Sequence, residues 1–88
     1  MNVGFRNSFA RDLRRIRDQE LLSRVQQVIE QVEGADGFGE IAHVKKLKGS
    51  EDYYRIRVSN YRVGIIVADD TVIFVRFLYR RNIYRYFP

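Results

Sequence analysis

The hydrophobic period of this chain changes once, and the change divides it into two kinds of structure. From Phe9 to Val32 apolar residues recur at helical spacing, whereas from Tyr53 to Tyr79 they alternate with a period of two. Phe9, Leu13 and Ile16 fall at i, i+4 and i+7, with Arg11, Arg14, Arg15 and Arg17 outside that stripe. Asn7 or Ser8 is expected to cap this first helix. Asp18 is expected to cap a second, with Glu20 in its first turn, where a carboxylate suits the helix dipole. Leu21, Leu22, Val25, Val28, Ile29 and Val32 then form a broad stripe ending at Gly34. The short Arg17–Gln19 connection makes the two helices an antiparallel hairpin with one shared apolar face to cover.

Something β must cover it. Val3 and Phe5 suit a short N-terminal edge strand, and 53–58, 61–68 and 72–79 read as three longer strands. Their connections are too short for a parallel crossover, so they form an antiparallel meander. The expected architecture is α+β, in the order βααβββ, with the helix hairpin packed on an antiparallel sheet. At 88 residues the chain is one domain spanning 1–88. Gly34–Gly39 and the basic segment Ile41–Ser50 are read as a flexible linker and a loop, the latter anchored by Ile41, Val44 and Leu47.

Register can be argued from the turns. A two-residue turn at Ser59–Asn60 pairs Val58 with Tyr61, Arg57 with Arg62, Ile56 with Val63 and Arg55 with Gly64. One face then carries Tyr54, Ile56, Val58, Tyr61, Val63, Ile65 and Val67 toward the helices. The other carries Arg55, Arg57 and Arg62, with Gly64 leaving room beside Arg55. At the second turn, two residues would put Arg76 on the core face and three, Asp69–Thr71, would put it with the other arginines. Three are expected, because an unpaired buried guanidinium is costly. Like charges side by side on a sheet repel. The cluster therefore needs relief from an anion, or from an acid such as Glu51 or Asp52.

Charge narrows the function classes. Of sixteen basic residues thirteen are arginine, and residues 53–88 hold seven of them against two acids, which accounts for the whole net charge of +5. A guanidinium fork matches phosphate oxygens bidentately, so a phosphate-rich partner fits, although an acidic protein would also satisfy it. The absence of cysteine excludes a disulfide scaffold and a thiolate zinc site. His43 is the sole histidine and the acids show no ligand spacing, so no metal or other cofactor is expected. His43 is expected in a loop. Ser8, Ser23, Ser50 and Ser59 read as cap, helix surface, loop and turn, without a base to activate them. The GADGFG stretch follows a helix instead of linking a strand to one, which argues against a phosphate loop. With no membrane-length apolar run and no signal peptide, the chain is expected to be soluble, cytoplasmic and free of membranes.

What remains is arginine with tyrosine: Arg55, Arg57, Arg62, Arg80 and Tyr84. RNA brings its own nucleophile, the 2′-hydroxyl, so cleavage needs only a base near that hydroxyl and cations around the phosphorane. Cationic neighbours can make a phenol such a base. The same residues would also serve a binder that stacks bases on tyrosine and never cleaves.

The order of elements, with Leu47–Val67 (LKGSEDYYRIRVSNYRVGIIV) and Tyr79–Tyr84 (YRRNIY), resembles the RelE/ParE superfamily of type II toxins over nearly the whole chain. The resemblance implies an endoribonuclease that cuts mRNA in the ribosomal A site without metal and is silenced by a cognate antitoxin. It implies Tyr84 as general base, Arg62 and Arg80 on the scissile phosphate, and Arg55 and Arg57 on the RNA backbone. Arg81, Arg85, Lys45, Lys46 and Lys48 would add RNA contacts. The best-known RelE-type enzymes carry lysine where this chain has Arg55 and Arg57, and arginine is a poor proton donor at neutral pH. The partners implied are the antitoxin, the ribosome and mRNA, with the toxin itself monomeric and oligomeric only through the antitoxin. The alternatives are a ParE-like toxin that inhibits DNA gyrase by protein contact, and a non-catalytic basic module that binds RNA or the ribosome.

Overall fold

Asp18 accepts a hydrogen bond from Leu21 N–H, and the helix it caps runs from Gln19 to Gly34, the span expected from its stripe. A computed structural model describes residues 1–47, 49 and 52–87. Its elements are β1 (Asn2–Phe5), α1 (Asn7–Arg14), α2 (Gln19–Gly34), a 3-10 turn (Phe38–Glu40), β2 (Val44–Lys46), β3 (Tyr53–Val58), β4 (Tyr61–Ala68), β5 (Thr71–Tyr79) and α3 (Ile83–Tyr86). The strands form one sheet in the order β1-β5-β4-β3-β2. No helix among the described residues is long and apolar enough to cross a membrane.

The Ser59–Asn60 turn sets the β3–β4 register as expected, with Arg57 opposite Arg62 and Arg55 opposite Gly64. All seven inward residues of these two strands join the main core, which also takes in Phe9, Leu21, Val25, Val32, Val72, Phe74 and Phe77. Several features were not expected, the short α3 among them. The basic segment contributes β2, which pairs Lys45 with Arg55 and Lys46 with Tyr54. The sheet is also mixed, since β1 lies parallel to β5. The helices between β1 and the meander carry the chain back far enough to permit a parallel pair. The supposed linker is likewise folded, its Phe38 ring meeting Tyr54 edge-on at 4.6 Å.

The second turn corrects the sequence reading. Ala68 pairs with Thr71, so the turn is the two-residue Asp69–Asp70, and Val72 and Phe74 face the core. A bulge then intervenes: Ile65 pairs with Phe74 but Gly64 with Arg76, leaving Val75 as the extra residue. Without it Arg76 would sit opposite Val63 in the core. With it Phe77 takes that place, and Arg76 is held by Asp12 of α1, with Nε to Oδ2 at 2.8 Å and Nη2 to Oδ1 at 3.3 Å.

The bulge falls where β1 ends. Beyond Phe74 the edge of β5 has no strand beside it, and α1 side chains take over the ladder: Ser8 Oγ donates to Val75 C=O, and Phe77 N–H donates to Asp12 Oδ2. Ser8 is thus committed to the sheet and does not cap α1. The N-cap is Arg6, which makes no side-chain cap bond.

Asp69 opens its turn at φ 56. An L-residue costs roughly 1–2 kcal/mol there, partly offset by the chain entropy a glycine loses on folding. Asp69→Gly is therefore expected to raise stability by about 0.5–1 kcal/mol, read as an upward shift in Tm of a few degrees.

Candidate functional site

The sheet face away from the helices is built by alternation. It presents Tyr53, Arg55 and Arg57 from β3, and Arg62, Gly64 and Ile66 from β4. Val75 and Leu78 of β5 join it, and a second small core covers part of it: Leu47, Ile83 and Phe87, with Tyr53, Val75 and Leu78 around them. Ile83 and Phe87, one turn apart, bury the inner side of α3. Tyr84, beside them, stays 63% exposed.

This arrangement brings Tyr84 to the arginines. Arg55 Nε donates to the Tyr84 hydroxyl at 2.7 Å, and its guanidinium carbon lies 5.8 Å from the ring centre. Arg57 is exposed, with Nη2 3.3 Å from His43 Nδ1, which accepts because a guanidinium has only donors. Arg62 is half-buried and donates from Nη1 to the carbonyls of Tyr61 at 2.8 Å and Ser59 at 3.1 Å, not to Asp52. Arg80 leaves β5 on a 2.8 Å bond from its N–H to Asn60 C=O, which ties the end of β5 to the β3–β4 turn.

Arg62 is the electrostatic centre. Partial burial above all, then repulsion from Arg55 and Arg57 and, last, from Arg80, holds its guanidinium below the usual arginine range, while Tyr84 acts in the opposite sense. Among the described residues no carboxylate pairs with any of these four arginines. An anion placed here would gain the attraction of four cations and relieve their mutual repulsion.

The other basic residues separate. Lys45 stands beside Arg55 in register, at the sheet edge, whereas Lys46 pairs with inward-facing Tyr54. Arg81 lies 5.4 Å from the ring centre of Tyr79, which meets Tyr61 on the helix side, so it stands apart from the cluster. Arg85 lies 6.0 Å from the ring of Tyr86, an exposed tyrosine. Lys48, Ser50 and Glu51 fall outside the described residues. Arg76 stands opposite Gly64, on the outer face as expected, but its guanidinium is paired with Asp12. His43 lies in the turn before β2, as expected, and adds a contact with Arg57: its backbone takes φ 61 and its carbonyl accepts from Arg57 N–H at 3.0 Å. No local spacing marks it. Among the described residues no group of three or more His, Asp or Glu stands together as a metal ligand set.

Comparison with known proteins bears on the family and the fold. Residues 3–84 match the family model for the ParE toxin of the type II toxin-antitoxin system parDE. The whole chain is 42% identical to the whole of Toxin RelE3 of Methanocaldococcus jannaschii. In solved structures, the fold matches a chain of the RelB-RelE antitoxin-toxin complex from Methanococcus jannaschii with a TM-score of 0.81 and 40% identity, covering 97% of this chain and 99% of that one. It also matches a chain of the archaeal RelE-RelB complex from Pyrococcus horikoshii with a TM-score of 0.72, covering 90% and 93%; at 23% identity that likeness concerns the fold alone.

Proposed function

The chain belongs to the ParE toxin family of type II toxin-antitoxin systems and is of RelE type, and from that premise we propose that it is a ribosome-dependent endoribonuclease that cuts mRNA in the A site. The observation that carries this reading is the Tyr84 hydroxyl held 2.7 Å from Arg55 beside an Arg62 that three other arginines repel. In the proposed reaction the Tyr84 oxygen, as phenolate, takes the proton of the 2′-hydroxyl. The 2′-oxygen bonds to phosphorus, and the bond to the 5′-oxygen breaks. Arg62 and Arg80 stabilise the charge that builds on the phosphorane, and Arg55 balances the phenolate. Arg55, Arg57 and Lys45 hold the RNA backbone. Because an arginine does not release a proton at neutral pH, the leaving 5′-oxygen takes one from water. No step calls for a metal.

Mapping mRNA ends after in vitro translation tests this. The expected result is cuts at A-site codons that bear 2′,3′-cyclic phosphate and appear only while ribosomes translate. The matched family carries the ParE name, which favours the ParE-like alternative as a second reading: inhibition of DNA gyrase by protein contact. Intact mRNA together with blocked supercoiling would establish that one and overturn the first.

The partner belongs to the same proposal. Two of the solved chains that match are held in RelB-RelE complexes, and the exposed guanidiniums here suit an acidic segment of a cognate antitoxin lying over them. The toxin alone is then a monomer of the cytoplasm, where its ribosomes are, and it joins larger assemblies through the antitoxin. Co-expression with the neighbouring operon gene should yield a copurifying complex and restore growth. Full yield of the chain alone, without any growth defect, would count against a toxin.

A further inference from the structure

Gly64 stands in the middle of β4 between Val63 and Ile65, both fully buried. Its φ is not positive, so the backbone does not require glycine there. A strand interior also loses packing and folding entropy by having one. The reason is space. A Cβ at this position would lie 2.8 Å from Cγ and Cδ2 of Phe87 and 2.9 Å from Cε2. Those atoms belong to the body of the ring, so the ring and the backbone that carries it would have to rise off the sheet.

That backbone is the end of α3. Phe87 N–H bonds to Ile83 C=O at 3.0 Å and closes the helix's single turn. Four residues have no helical stability of their own. The position of α3 is therefore decided by its buried anchors, Ile83 and Phe87, against Leu47, Val75 and Leu78. Tyr84 lies between those anchors, and among the described residues its hydroxyl makes one hydrogen bond, with Arg55. Arg55 is itself the cross-strand neighbour of Gly64. The glycine that admits the ring and the arginine that meets the hydroxyl are thus paired across one rung of the sheet.

We infer that Gly64 and Phe87 are positioning residues for Tyr84: the missing side chain in β4 seats the Phe87 ring on the sheet, and that seat sets the Tyr84 hydroxyl against Arg55. The kinetic consequence rests on the reading of Tyr84 as the base for RNA cleavage; the positional one does not.

Two readouts test it in the full chain. With ring-labelled tyrosine, NMR of Gly64→Ala should show the Tyr84 resonances displaced while those of Tyr61, in the core on the other face, stay in place. Single-turnover cleavage should fall by about 10²-fold, as expected for a reacting group misplaced by about an ångström, with ribosome affinity unchanged. In a Tyr84→Phe background Gly64→Ala should cause no further loss, because the hydroxyl it displaces is gone. Phe87→Leu shrinks the group that fills the seat; added to Gly64→Ala it should return part of the rate. Alone it should displace the Tyr84 resonances even if Gly64→Ala does not fold. Unmoved Tyr84 resonances in a folded variant would overturn the inference, as would an equal loss from Gly64→Ala with and without the hydroxyl. Displaced resonances in a protein whose wild type leaves mRNA intact would retire the nuclease reading and leave the positioning role standing.

Discussion

Tyr84→Phe is expected to lower the single-turnover rate of mRNA cleavage by about 10² to 10⁴, the usual contribution of a general base. Tm and ribosome affinity should stay at wild-type values. The substitution removes one oxygen from a side chain that is 63% exposed and keeps the ring beside Arg55. What the hydroxyl loses to the fold is a single solvent-facing hydrogen bond, and the ring's contact with the cation survives. A rate defect without a stability defect is therefore the signature of chemistry. Cleavage at the wild-type rate would make Tyr84 a stacking or packing residue, and the base would then have to come from the ribosome or from the lysines of 45–48.

Asp12→Ala is expected to cost about 3 kcal/mol of stability, read as a fall in Tm of about 10 to 25 °C. The carboxylate is 3% exposed and serves two elements at once: it holds both nitrogens that Arg76 offers, and it accepts Phe77 N–H at 2.9 Å where the sheet has no neighbouring strand. Alanine leaves a partly buried cation and a buried amide without their acceptor. Because Arg76 keeps 22% exposure, water softens the loss, and the low end of the range for broken buried pairs applies. Adding Arg76→Met should recover part of the stability, since an apolar side chain does not miss the carboxylate. A change within about 0.5 kcal/mol for Asp12→Ala would show the pair to be solvated and the α1–β5 seam to be held by packing alone.

Much of this architecture is legible because its signals are local. The stripe from Leu21 to Val32 and the cap at Asp18 define α2 within a few turns of chain. The Ser59–Asn60 turn, read with strict alternation, is enough to set six cross-strand pairs and to put Arg55, Arg57 and Arg62 on one face. The family resemblance gave roles to Arg80 and Tyr84, which composition brings forward but no periodicity singles out. Misreadings occurred where a distant partner decided the outcome. On sequence alone a three-residue second turn spares Arg76 burial without a partner. Yet the partner exists, 64 residues earlier in α1, and a bulge at Val75 reconciles the two-residue turn with it.

The sequence alone therefore determined β1, the two long helices, the three strands of the meander with its two faces, and the excess of arginine on the outer one. Each of these follows from period, turn chemistry and charge within a short stretch of chain. Only the tertiary structure decided that β5 would bulge, that Arg76 would pair with Asp12, and that Phe87 would settle on Gly64 and bring Tyr84 to Arg55. Those outcomes depend on which backbone groups lie unpaired at the end of β1 and on how much space one missing side chain leaves. Both are set by atoms far apart in the chain, so they take effect only when the sheet, the helices and the C-terminal turn have come together.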